Sequence, residues 1–187
     1  MMPQRLQREE YLKKLIAFQD KNIIKIITGI RRCGKSTLME IFQDHLRSTG
    51  VENSQILHIN FEDFDYRPLR DPAALHSYIT ERMARDRMTY VFLDEIQHVP
   101  DWQDVVDSLH LRKNLDIYIT GSNAYLLSSE IATLISGRYV EIKMLPLSFR
   151  EFVSATGGEA NLPKAYRQYV ESSSFPYALA LLDHPKE

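Results

Sequence analysis

A chain of 187 residues, 44% apolar and 26% charged, has the composition of one globular domain with at most a small appendage, and it is long enough to bury a sizeable core. Its formal charge of -2 and pI near 6.3 give no overall electrostatic footprint for nucleic acid, which leaves such a role only to a local basic patch or to a C-terminal region absent here. A single cysteine excludes an intramolecular disulfide, and without a signal peptide or a bilayer-length apolar run the expected location is cytoplasmic, with no membrane partner.

In chain order, Arg8 to Phe18 places Tyr11, Leu12, Leu15 and Phe18 on one helical face, so residues 1–20 are expected to contribute a helix packed on the core. β-type runs follow at Ile23 to Thr28, Gln55 to Phe61, Thr89 to Asp94, Leu115 to Thr120 and Tyr139 to Met144. Between them lie helix-type stretches at Lys35 to Arg47, Asp71 to Arg87 and Asp101 to Arg112, and a broken pair between Ala124 and Ile135. Asp71 can cap the second of these, with Pro72 at its first position. Alternating strands and helices predict an α/β fold, a parallel sheet with helices on both faces, over residues 21–145. After Met144 the character changes: Pro146 stops the strand, Ser148 to Glu151 forms a capping box, and Gly157 and Gly158 end the short helix it opens.

The run Gly29-Ile30-Arg31-Arg32-Cys33-Gly34-Lys35-Ser36-Thr37 fits the phosphate-binding pattern G-x-x-x-x-G-K-[ST] and stands between a strand and a helix, as that loop must. A triphosphate needs several converging N–H donors, and side chains at the turning points would crowd it; hence the two glycines. The helix start adds free N–H groups and the positive end of its dipole. Lys35 is expected on the β- and γ-phosphates, the Ser36 hydroxyl on Mg²⁺, and Thr37 near the α-phosphate, so ATP with Mg²⁺ is the expected ligand. Cys33 reads first as a small residue filling the slot before Gly34; the alternative is a thiol made acidic by its nearness to the phosphate-binding N–H groups.

Tyr90 to Glu95 is an apolar strand ending in two carboxylates, and in open α/β sheets ligands bind at the carboxyl ends of strands. Asp94 is therefore expected to hold Mg²⁺, through its water shell, and Glu95 to polarise an attacking water. A further strand, Ile117 to Thr120, ends in Gly121-Ser122-Asn123, where Asn123 or Ser122 has the chemistry to hydrogen-bond the lytic water or the γ-phosphate. Glu62 and Asp63 end the second strand and are candidates to orient water or Mg²⁺; solvated strand-end acids would read the same way.

The set GIRRCGKST, INFED, YVFLDEIQHVPDW, IYITGSNAYLL, ISGRYVEI and PLSFREF, in that order, resembles a bacterial and archaeal AAA-type ATPase family. The resemblance implies a P-loop fold of the AAA+ type with a five-stranded sheet of order 5-1-4-3-2. It also implies that residues 146–187 begin a helical lid or winged-helix-type region, incomplete because family members commonly run to about twice this length. By the same resemblance Arg138 is a candidate arginine finger or γ-phosphate sensor, and Arg31 and Arg32 meet phosphate, a neighbouring protomer or a partner domain. Trp102 is expected to pack its helix on the sheet, and His98, with no second ligand at metal spacing, to be a loop residue.

Three functions fit these residues. The first is Mg²⁺-dependent ATP hydrolysis coupled to movement of a partner protein, a second copy of the chain or a C-terminal domain. The second is a nucleotide-gated binding switch that hydrolyses little. The third is a small-molecule kinase, which the adjacent Asp94 and Glu95 disfavour because a base for water does not serve phosphoryl transfer to another acceptor.

Overall fold

The computed structural model describes residues 6–121, 137–172, 174–177 and 179. The expected helical pair between Ala124 and Ile135, and with it Ser122 and Asn123, lies outside them.

Helix α1 (Glu9–Phe18) leads into β1 (Ile24–Gly29), the phosphate-loop sequence and α2 (Lys35–Ser48). Then come β2 (Ile56–Asn60), a 3-10 stretch at Phe64–Arg70, α3 (Pro72–Arg82), β3 (Thr89–Asp94), α4 (Trp102–His110), β4 (Leu115–Gly121) and β5 (Tyr139–Met144). Helices α5 (Phe149–Thr156) and α6 (Leu162–Ser172) follow. All strand pairs are parallel and the order is β2-β3-β4-β1-β5, the expected order read from the other edge.

Strands β1, β3 and β4 are buried along their whole length, while the edges β2 and β5 are only partly covered. Helices on both faces explain why the central strands read as continuous apolar runs instead of alternating ones. On one face Ile24, Ile26, Val91, Leu93, Ile117 and Ile119 pack against Leu75 and Ile79 of α3 and Trp102, Val106 and Leu109 of α4. On the other, Ile27, Phe92, Tyr118, Ile142 and Met144 meet Leu38, Met39, Phe42 and Leu46 of α2 and Leu15 of α1. Phe92 and Tyr118 stack with ring centroids 4.9 Å apart. Trp102 is thus a packing residue, as the sequence predicts.

Helix α3 stops five residues short of the expected Arg87, because Met83 turns to an extended backbone (ψ 138). The Ala84 N–H then donates to the Thr89 hydroxyl at 2.9 Å, and its carbonyl accepts from the Asn114 amide, so the chain is captured by the sheet base before the helix can continue. Local signals elsewhere hold. Asp71 accepts from Ala74 N at 2.8 Å, the Ser148–Glu151 capping box is formed, and Gly157 closes α5 at φ 65.

At the amino-terminal ends of the strands, Lys25 is ion-paired to Asp116 in full burial. Asp116 also accepts from Tyr118 OH at 2.8 Å and from Asp20 N at 2.9 Å, and Lys25 donates to the Lys21 carbonyl at 2.8 Å. Burial pushes the Lys25 ammonium down and the Asp116 carboxyl up, against their mutual attraction. This network ties the turn after α1 to the sheet, at the end away from the phosphate loop.

Candidate nucleotide site

The loop between β1 and α2 is shaped by two glycines that act for different reasons. A Cβ on Gly29 would lie 2.5 Å from the Met144 carbonyl oxygen and 2.7 Å from Cys33 Sγ, so this position must be bare to let β5 and the loop's own cysteine approach. Gly34 has φ 99, a left-handed backbone, and it caps α2 without any side chain. The first turn of α2 carries no acidic residue and no side-chain cap, so nothing there competes with an anion for its N–H groups. Ser36 is half-buried and Thr37 exposed in that turn, while Ile30, Arg31 and Arg32 are exposed along the outer loop. Arg32 is also left-handed, at φ 67.

Lys35 is only 4% exposed and its ammonium stretches back over the loop, donating to the Gly29 carbonyl at 3.3 Å and lying 3.6 Å from Glu95 Oε1. Glu95 reaches this position because its backbone is left-handed (φ 56, ψ 50), turning the chain sharply after β3. Its N–H donates to the Thr120 hydroxyl at 3.0 Å, and that hydroxyl donates to Asp94 Oδ1. Gln97 donates from its amide to Glu95 Oε2. Asp94 is fully buried, and its Oδ2 has no hydrogen-bond partner among the described residues.

An uncapped helix start, a glycine cradle, a buried lysine and a buried carboxylate oxygen without a partner suit a polyphosphate with a divalent cation: N–H groups and lysine for the phosphates, hard oxygens for the metal. Ser36 and Asp94 are the residues that would hold Mg²⁺, whose charge would offset that of the phosphates.

The other candidates fall less evenly. Glu62 lies 3.1 Å from Arg31 in an exposed ion pair, linking the end of β2 to the phosphate loop, whereas Asp63 caps the 3-10 stretch by accepting from Asp65 N at 3.1 Å. Cys33 follows the small-filler reading and not the acidic-thiol one: it is fully buried, and burial pushes its pKa up against the pull of Lys35 and Arg8. His98 is exposed, but it closes the 3-10 turn Ile96–His98 after Glu95 instead of lying in an irregular loop. Arg138 is not at the phosphate loop of its own chain. Its carbonyl accepts from Ile24 N at the start of β1, and its guanidinium pairs with Asp107 of α4. Since β1 and β5 run in parallel from Ile24–Tyr139 to Gly29–Met144, Arg138 sits roughly 17 Å or more from Gly29 at 3.3 Å per residue. A finger role is open to it only toward another chain. Asn123 lies outside the described residues.

Thr120 and Gln97 were not singled out from sequence. Thr120 shares a face with Tyr118 by strand alternation, but only the β3–β4 register, Leu93 beside Ile119, brings it to Asp94.

The sequence pattern of the AAA domain matches residues 21–153, which spans the phosphate loop, the acidic pair and all five strands. The chain belongs to the AAA domain family. It is 44% identical over 184 residues to an uncharacterized protein of Haemophilus influenzae, covering 96% of this chain but 46% of that one, so it spans less than half of that relative. Among solved structures it is similar to Saccharomyces cerevisiae Hsp104 in complex with casein (TM-score 0.64, 16% identity, 94% of this chain and 36% of that one). It is also similar to AMPPCP-bound DnaA of Aquifex aeolicus (TM-score 0.61, 12% identity, 99% and 63%). At such identities these two likenesses speak to the AAA+ fold alone.

Proposed function

We propose that this AAA domain binds MgATP in the Gly29–Thr37 loop and hydrolyses it, with Glu95 polarising the attacking water. The observation that carries the reading is the convergence of Lys35, Glu95 and Asp94 at the carboxyl end of the sheet, with Lys35 Nζ 3.6 Å from Glu95 Oε1 and Asp94 Oδ2 buried without a partner among the described residues. Lys35 would bind the β- and γ-phosphates, Ser36 and Asp94 the metal with its waters, and Gln97 would fix the Glu95 carboxylate. Membership of the AAA family and the nucleotide analogue named with the DnaA structure support ATP as the ligand. The work of the cycle would be movement of a partner protein, a second copy or a following domain. Arg138, outward on the far end of the sheet, would act on a neighbouring chain's phosphates.

A second reading, a switch that binds ATP and hydrolyses slowly, is favoured by one detail: both oxygens of Glu95 are engaged, by Lys35 and Gln97. MgATP binding and phosphate release, measured side by side, separate the two. Binding with release supports hydrolysis, binding without it supports the switch, and absence of binding overturns both.

A further inference from the structure

Arg8 belongs to none of the motifs above, yet its side chain is 4% exposed and its backbone is left-handed at φ 48, ψ 47. A non-glycine residue in that conformation and a buried guanidinium are both costly, so their combination calls for compensating contacts. They are specific. Nη2 donates to the Leu145 carbonyl, Nε lies 2.9 Å from Glu151 Oε1, and the guanidinium carbon sits 4.8 Å from the centre of the Tyr11 ring. Tyr11 OH in turn accepts from Leu145 N at 3.1 Å, so Arg8 and Tyr11 grip both polar groups of the residue that follows β5. Two of the Arg8 nitrogens, Nε and Nη1, are buried without a hydrogen-bond partner among the described residues; Nε has the Glu151 carboxylate beside it as an ion pair, and Nη1 has no such neighbour among them.

The sheet order sets the direction in which a bound nucleotide would run. The acids stand on β3, beyond β4 on one side of β1, so a bound polyphosphate runs from the loop toward β4 and β3. The nucleoside end must then point the other way, toward β5. That side is walled by apolar atoms: a Cβ on Gly34 would lie 3.5 Å from Met144 Cε and 3.7 Å from Pro176 Cγ. Arg8 is on this side, held by Leu145, and its charge is felt at the Cys33 thiol inside the loop.

Resting on the nucleotide reading above, we propose that Arg8 is a specificity-determining residue for the nucleoside end of the nucleotide, giving its Nη1 hydrogen to a base or ribose acceptor while Leu145 and Glu151 hold the guanidinium in place. A hydrogen bond from a charged donor contributes enough that its loss lowers affinity about 10- to 100-fold.

The test compares MgATP with magnesium tripolyphosphate, which has the phosphates and no nucleoside, on wild type and Arg8→Gln. Arg8→Gln is expected to weaken MgATP at least about tenfold and to leave tripolyphosphate within about twofold. Arg8→Lys, which keeps charge and stem but loses the planar fork, is read in the same way if the first variant does not fold. Equal losses for both ligands, the result of a merely structural role, or no loss for either, overturn the inference. A wild-type chain that binds neither ligand fails the nucleotide reading itself, and this inference with it.

Discussion

Lys35 Nζ lies 3.6 Å from Glu95 Oε1, so the cation of the phosphate loop and the carboxylate after β3 form one unit across the mouth of the site. The pair brings together residues from two separate motifs, and a γ-phosphate entering there would compete with Glu95 for the ammonium. Binding would thereby release one oxygen of Glu95 for water.

Lys35→Ala is expected to weaken MgATP binding by about 100-fold or more, since it removes the charge facing the β- and γ-phosphates. Calorimetric titration checks this; affinity within about threefold of wild type would remove Lys35 from the phosphate site.

Gln97→Ala leaves the phosphate loop untouched but frees Glu95 Oε2. Turnover should fall up to about tenfold with MgATP affinity unchanged, the loss of one orienting hydrogen bond. A variant that loses binding and turnover together would show that Gln97 acts on the fold of the loop instead.

Arg138→Ala should leave MgATP affinity within about twofold, because the residue is at the far end of β5 from its own loop. If it serves a neighbouring chain, wild-type specific activity rises with protein concentration and the variant stays low throughout. Specific activity independent of concentration contradicts that role.

His58 supplies a pH prediction. Its Nδ1 is 3.2 Å from Gln43 Nε2, and its Nε2 is buried without a partner among the described residues. Burial pushes the imidazole pKa below its ordinary value, with Asp94 pulling it up and Arg47 pushing it further down. A histidine depressed in the folded state binds fewer protons there than when unfolded, so its contribution to stability is lost as pH falls below about 6.5 toward the folded value. His110 is lowered too and acts with the same sign. Denaturant midpoints from pH 8 to 5.5 should therefore fall more steeply for wild type than for His58→Gln; parallel curves would contradict it.

Much of this was legible because its signals are local. The glycine and lysine spacing, the apolar run ending at Asp94 and Glu95, and the capping box at Ser148 each sit within a few residues, and each stands where it was expected. What was not legible depends on register and burial. Thr120 reaches Asp94 only through the β3–β4 pairing, Lys25 and Asp116 meet across 91 positions, and Arg8 meets Leu145 across 137. The two readings of Cys33 separate only at this level: spacing places it in the phosphate loop, but whether its thiol faces the anion or the core depends on how Met144 packs above Gly29.

The central claim is best tested by MgATP binding and phosphate release measured together on wild type and Glu95→Gln. The account predicts that the variant binds MgATP within about threefold of wild type and releases phosphate at least about 100-fold more slowly. A variant that hydrolyses at the wild-type rate, or a wild-type chain that binds no nucleotide, would contradict it.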